Sequence, residues 1–125
     1  MRYLGVDFGL KRVGLATSEG SFTSPFKIIE VRSFKDAVMQ IGELVRQEKF
    51  DQIIVGLPEG KMSQAVLGFV KALQKLGLDV LTFDETLSSQ KATMQMIESN
   101  ISKEKRRKND ATAAAIILQD WLDSR

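Results

Sequence analysis

Tyr3-Leu4-Gly5-Val6-Asp7-Phe8-Gly9-Leu10-Lys11-Arg12-Val13-Gly14-Leu15-Ala16-Thr17-Ser18 is the stretch on which the reading of this chain turns. Leu4, Val6 and Phe8 alternate with Gly5 and Asp7, the period of a strand with one apolar face. Gly9 to Lys11 supply a tight turn, and Val13, Leu15 and Thr17 resume the same spacing in a second strand. Asp7 is the discordant residue. A carboxylate at the end of an apolar strand costs free energy unless something pairs with it, and a metal ion or a phosphate-bearing partner would supply a reason for it. Gly5, Gly9 and Gly14 carry no side chain, so backbone or ligand can come close at those points.

Composition narrows the chemistry. The 125 residues include 43% hydrophobic and 27% charged side chains, which predicts an ordinary soluble globule of one domain spanning 1–125, and the order of strands and helices along the chain makes it α/β. Cysteine and histidine are both absent. A disulfide framework, a thiolate or imidazole zinc site and a histidine-based triad are thereby excluded within this chain. Catalysis must use carboxylates, lysine, hydroxyls or a metal on oxygen ligands. The chain enters its first strand directly, with no signal peptide and no long apolar run, so a cytoplasmic, membrane-free location is expected. The net charge of +2 is mild, and its distribution matters more than its sum.

After the hairpin, Ser21 to Pro25 reads as a polar turn and Phe26 to Val31 as a third strand. Ser33 and Asp36 form a capping box with a shortened acid. Phe34, Ala37, Val38, Ile41, Leu44 and Val45 then follow at helical spacing, predicting a helix to about Lys49. Ile53-Ile54-Val55 is a wholly apolar run ending at Gly56-Leu57-Pro58, as suits a parallel strand covered on both faces. Glu59 to Ser63 reads as a loop. Val66, Phe69, Val70, Leu73 and Leu76 mark a second helix that Gly77 is placed to end. Val80, Leu81 and Phe83 make a fifth strand, stopping at Asp84-Glu85. Ser88 or Ser89 can cap a third helix running to about Asn100, and Asn109 or Asp110 can start a last one. Strands 1–3 should be antiparallel, and strands 4 and 5 parallel to strand 1 by right-handed crossovers. The first strand is then central, and its carboxyl end opens a crevice at the switch in strand order.

Asp7, Glu85 and Asp110 are the acids this topology can gather at one rim. Crowded carboxylates repel unless cations sit among them. Mg²⁺ or Mn²⁺ takes oxygen ligands and keeps waters for substrate phosphates, and two such ions can activate a water and stabilise the leaving oxygen of a phosphodiester. Each acid also has a plainer reading. Asp7 can answer a turn amide, Asp110 can be a helix cap, and Glu85 can be a solvated loop acid. Glu59 is a rival third ligand. The run Lys103-Glu104-Lys105-Arg106-Arg107-Lys108 adjoins Asp110, and Lys105, Arg106, Arg107 and Lys108 can clamp phosphates beside it or form a solvated loop. Arg12, Lys61, Ser88 and Ser89 can add phosphate contacts.

These motifs resemble, in order and over essentially the whole chain, the YqgF (RuvX) family, bacterial relatives of the junction resolvase RuvC within the RNase H-like superfold. Leu4-Gly5-Val6-Asp7-Phe8-Gly9 with Arg12, Gly14, Ala16 and Ser18 is similar to its first motif. Ile54-Val55-Gly56-Leu57-Pro58 is similar to the second, Asp84-Glu85-Thr86-Leu87-Ser88-Ser89 to the third, and Asp110-Ala111-Thr112-Ala113-Ala114 to the fourth. The resemblance implies an RNase H-like fold with Asp7, Glu85 and Asp110 as an acidic, metal-holding triad. It also implies a metal-dependent endonuclease acting in 5′-end processing of pre-16S rRNA. The alternatives are a Holliday-junction resolvase-like DNA nuclease and a non-catalytic RNA-binding ribosome-assembly module. The expected partner is structured RNA or branched DNA, and the expected state a monomer or weak homodimer. The sequence departs from the family's pattern at Thr86, where arginine is usual, at Glu19, where aspartate is usual, and in the short loop after Pro58. Gly5-Val6-Asp7-Phe8-Gly9 also resembles the phosphate loop of sugar kinases and actin-like ATPases, but those close two lobes on a nucleotide, and this length leaves no room for the second.

Overall fold

A computed structural model of the chain describes residues 1–84 and 103–125, the side chains of 103–110 excepted. The elements run β1 Tyr3–Asp7, β2 Arg12–Glu19, β3 Phe22–Glu30, α1 Phe34–Glu48, β4 Gln52–Leu57, α2 Met62–Lys75, β5 Val80–Asp84 and α3 Lys103–Asp123. The strands form one sheet in the order β3-β2-β1-β4-β5. β1 pairs antiparallel with β2 and β2 antiparallel with β3, whereas β4 is parallel to both β1 and β5. The mixed five-stranded sheet and the central position of β1 are as the sequence predicts.

Strand alternation sorts the core into two layers. Leu4, Val6, Val13, Leu15, Ile53 and Val55 join Ala37, Ile41, Leu44 and Val45 of α1 and Val66, Phe69, Val70 and Leu73 of α2. On the other face, Tyr3 and Ile54 pack on Leu118, and Ala16 on Ala114 and Ala115, all from α3. Phe8, just past β1, stacks on Phe69 with ring centroids 4.5 Å apart, and so ties the hairpin to α2.

The helix signals act as read. The Ser33 side chain accepts from the Asp36 N–H at the start of α1. The Asp36 carboxylate reaches back one residue further, to the Arg32 N–H. Gly77 takes φ +86° just after α2, a left-handed conformation that suits glycine.

Three expectations are corrected or left outside. Residues 22–25 belong to β3 and are not a turn. Thr23 Oγ1 donates to the Ala115 carbonyl, and the Thr23 N–H donates to Gln119 Oε1, so α3 holds this end of the strand extended. Pro25 is tolerated there because β3 is an edge strand, and the irregularity opposite Leu15 and Ala16 absorbs an extra residue. The basic run Lys103–Lys108 is helical, not a loop, and α3 is already under way well before Asn109. The helix anticipated from Ser88 or Ser89 to Asn100 lies outside the described residues.

Candidate active site at the carboxyl edge of the sheet

The site builds outward from Asp7, the half-buried last residue of β1. Its parity matches Tyr3 and Gly5, so its side belongs to the α3 face of the sheet. Across the sheet, Asp7 is level with Gly14 on β2, and Gly14 with Ile28 on β3. On the other side, Val6 pairs with Val55, so the next position along β4 is Gly56, which pairs with Phe83. Asp7 is therefore flanked in its row by two glycines. Neither neighbouring strand sets a side chain against the carboxylate, where any other residue would begin to fill the approach.

Helix α3 crosses β1 at close quarters. A Cβ built on Gly5 would lie 2.8 Å from the Ala114 carbonyl oxygen and 2.8 Å from Leu118 Cβ. Nearer the start of β1, the Tyr3 and Trp121 rings meet edge to face at 5.1 Å. The helix thus runs antiparallel to β1. Two residues forward on a strand and one turn back on a helix each cover roughly 6 Å. From the Gly5–Ala114 crossing, those two steps lead to Asp7 and to the turn carrying Asp110. Asp110 lies within the helix, two turns after Lys103, so it is not a helix cap.

Glu85 falls outside the described residues, as do Ser88, Ser89 and Thr86. Its chain neighbour Asp84 ends β5 level with Leu57, at the same edge as Asp7. Among the described residues no three acids form a metal-holding cluster, and neither Glu85 nor the Asp110 side chain is among them. Glu59 and Lys61 are exposed in the connection after β4, where Ser63 Oγ donates to the Gly60 carbonyl. Arg12 opens β2 opposite Glu30. Lys105, Arg106, Arg107 and Lys108 occupy α3 in the turns leading to Asp110.

Two features of this edge have no local signal in the sequence. One is the glycine pair flanking Asp7, which only the strand register reveals. The other is a groove of about 330 Å³ between β3 and α3, lined by Pro25, Ile28, Ala111 and Thr112 among others. It adjoins the Asp110 turn, and its walls lie more than eighty residues apart in the chain.

Comparison with known proteins gives a consistent result. A family model described as "RuvX: Holliday junction resolvase" matches residues 1–124. A protein of Maridesulfovibrio salexigens, named "Putative pre-16S rRNA nuclease", is 38% identical over 98% of both chains. A Bacillus cereus protein of the same name is 36% identical over the full length of both. Among solved structures, Thermus thermophilus RuvC with a Holliday junction substrate aligns with a TM-score of 0.65, at 15% identity, over 100% of this chain and 95% of that one. The fowlpox virus Holliday junction resolvase aligns at 0.64, with 15% identity, over 99% of each chain. At such identities the structures establish a shared fold. No helix among the described residues is long and apolar enough to cross a membrane.

Proposed function

The chain belongs to the RuvX family, and from that premise we propose that it is a metal-dependent endonuclease hydrolysing phosphodiester bonds in the 5′-end processing of pre-16S rRNA, in the cytoplasm. The observation that carries this reading is the crossing of β1 and α3 at Gly5. It turns Asp7 and the Asp110 turn toward one edge of the sheet, where β5 delivers the residue before Glu85.

The donor chemistry fits hard cations. Asp7, Glu85 and Asp110 offer only carboxylate oxygens, the ligand type that Mg²⁺ and Mn²⁺ prefer. Those three residues would hold the ions, which when bound neutralise the crowded acids, favour hydroxide over water and offset charge on the leaving oxygen. Asp7 contributes a fixed, half-buried acceptor with glycine on both sides of its row, leaving room for a phosphate group at that edge. Arg12, Lys61 and the cations of Lys105 to Lys108 hold the polynucleotide through its phosphates. The attacking water adds to phosphorus opposite the departing oxygen. The P–O bond breaks, and one strand end keeps the phosphate while the other leaves as an alcohol.

The deciding experiment offers a precursor 16S rRNA leader and a four-way DNA junction to the wild type and to Asp7→Asn, with Mn²⁺. Cleavage of the leader is expected, with Asp7→Asn slower by roughly 100-fold or more while binding persists, the order of loss when a charged group leaves a reacting centre. Preferential cutting of the junction would favour the resolvase reading that the family's description suggests. Binding without cleavage under every divalent ion would make the chain an RNA-binding assembly module and overturn the proposal.

A further inference from the structure

A second cleft lies on the opposite flank of Asp7 from the α3 basic run. It has a volume of about 780 Å³ and sits between the β1–β2 turn, the end of β3 and the start of α1. Lys11 and Arg12 form one wall and Arg32 the other, 21 positions along the chain from Lys11. The backbone pins these walls together, since the Val31 N–H donates to the Lys11 carbonyl. Lys11 and Arg32 are both exposed.

Neither acid of the cleft is ion-paired with those two cations, and three cations against two acids leave its lining net positive. Asp36 Oδ2 accepts from the Arg32 backbone N–H at 2.9 Å and from Gln40 Nε2 at 3.0 Å, so it is committed to capping α1. Gln40 is in turn fixed by donating to the Glu30 carbonyl. Glu30 faces Arg12 across the β2–β3 pair. Among the described residues the Lys11 and Arg32 side chains make no hydrogen bond and no ion pair. Two uncommitted cations on opposite walls of one cleft, four residues beyond Asp7 along the hairpin, make a binding site for an anion that bridges them.

We propose that this cleft is a second phosphate-backbone subsite, in which Lys11 and Arg32 grip the nucleic-acid strand on the side of Asp7 away from α3. This rests on the nuclease reading above and deepens it. The strand would be held on both sides of the acidic edge, by α3 on one flank and by the hairpin cleft on the other. A phosphodiester chain is favoured over a free small anion because the cleft is several times the volume of one phosphate and opens beside the acidic edge.

The test measures binding of a fluorescein-labelled RNA hairpin with a single-stranded flank by anisotropy in EDTA, across 50–300 mM KCl. The full-length wild type is compared with Lys11→Ala, Arg32→Ala, the double variant and Lys71→Ala, a control at an exposed position of α2. Lys11→Ala and Arg32→Ala should each lower the slope of log K against log salt by about 0.7, which amounts to about fivefold weaker binding at 0.1 M salt. The double variant should lose both increments, Lys11→Arg should restore the wild-type slope, and Lys71→Ala should not change it. Unchanged slopes for Lys11→Ala and Arg32→Ala, in protein that still binds and cleaves, would overturn the cleft and leave the nuclease reading standing. Wild-type protein that binds neither the RNA nor a four-way DNA junction would overturn both. Inorganic phosphate supplies the last arm. Displacement of the RNA beyond that by chloride at equal ionic strength, lost in the double variant, would make the cleft a small-anion site and overturn the subsite.

Discussion

Gly5 shows how one missing side chain sets the geometry of the whole site. The Ala114 carbonyl and Leu118 Cβ both stand where a Cβ would go, and one of them is backbone. A methyl group at this point must push α3 off the sheet. Gly5→Ala should therefore cost about 1–3 kcal/mol of stability, the range for overpacking a filled interior, measured as a lower urea midpoint. It should also slow cleavage more than the loss of folded protein explains, because it shifts the turn carrying Asp110 relative to Asp7. Gly14 and Gly56 matter for a different reason: they set no side chain of their own in the row on either side of Asp7.

At the scale of elements, α1 and α3 make contrasting uses of charge. The start of α1 is conventional, with Ser33 capping the Asp36 N–H and Asp36 capping the Arg32 N–H. Ser33→Ala should cost about 1 kcal/mol, the usual value of such a cap, seen as a reduced unfolding free energy with cleavage per folded molecule unchanged. Helix α3 instead gathers Lys105, Arg106, Arg107 and Lys108 in the turns before Asp110. Like charges three or four positions apart, such as Lys103 and Arg107 or Lys105 and Lys108, weaken a helix, and a polyanion laid along it would relieve the repulsion. Replacing all four by alanine keeps helix propensity high and should reduce the slope of log K against log salt by about 3 for single-stranded RNA, measured by anisotropy. The edge strand β3 shows an element defined by its neighbour. Its first residues are polar and carry Pro25, yet they are strand because α3 supplies hydrogen bonds to Thr23.

At the scale of the molecule, one sheet carries α1 and α2 on one face and α3 on the other, and the acidic edge lies where these layers meet the strand ends. Among the described residues Phe69 is the largest fully buried side chain, and it stacks on Phe8, next to Asp7. Phe69→Ala should cost about 3–5 kcal/mol, a large share of the stability of a domain this size. The expected readout is a sharply lower denaturation midpoint, with cleavage falling in step with the folded fraction.

The sequence by itself determined the order of the described elements, the two-faced β1–β2 hairpin, the cap of α1 and the end of α2. Each depends on residues within a few positions of one another, where sterics and period are local. The ordered motifs likewise made the family legible, and Asp7 was singled out by its placement on an apolar strand. Only the tertiary structure decided that residues 22–25 are strand, that Asp110 lies deep in α3, that glycines flank Asp7 across three strands, and that Lys11 and Arg32 share a cleft. Most of those facts join segments far apart in the chain, up to the 96 positions from Thr23 to Gln119, and no local pattern encodes which distant backbone will arrive to complete a hydrogen bond or close a wall.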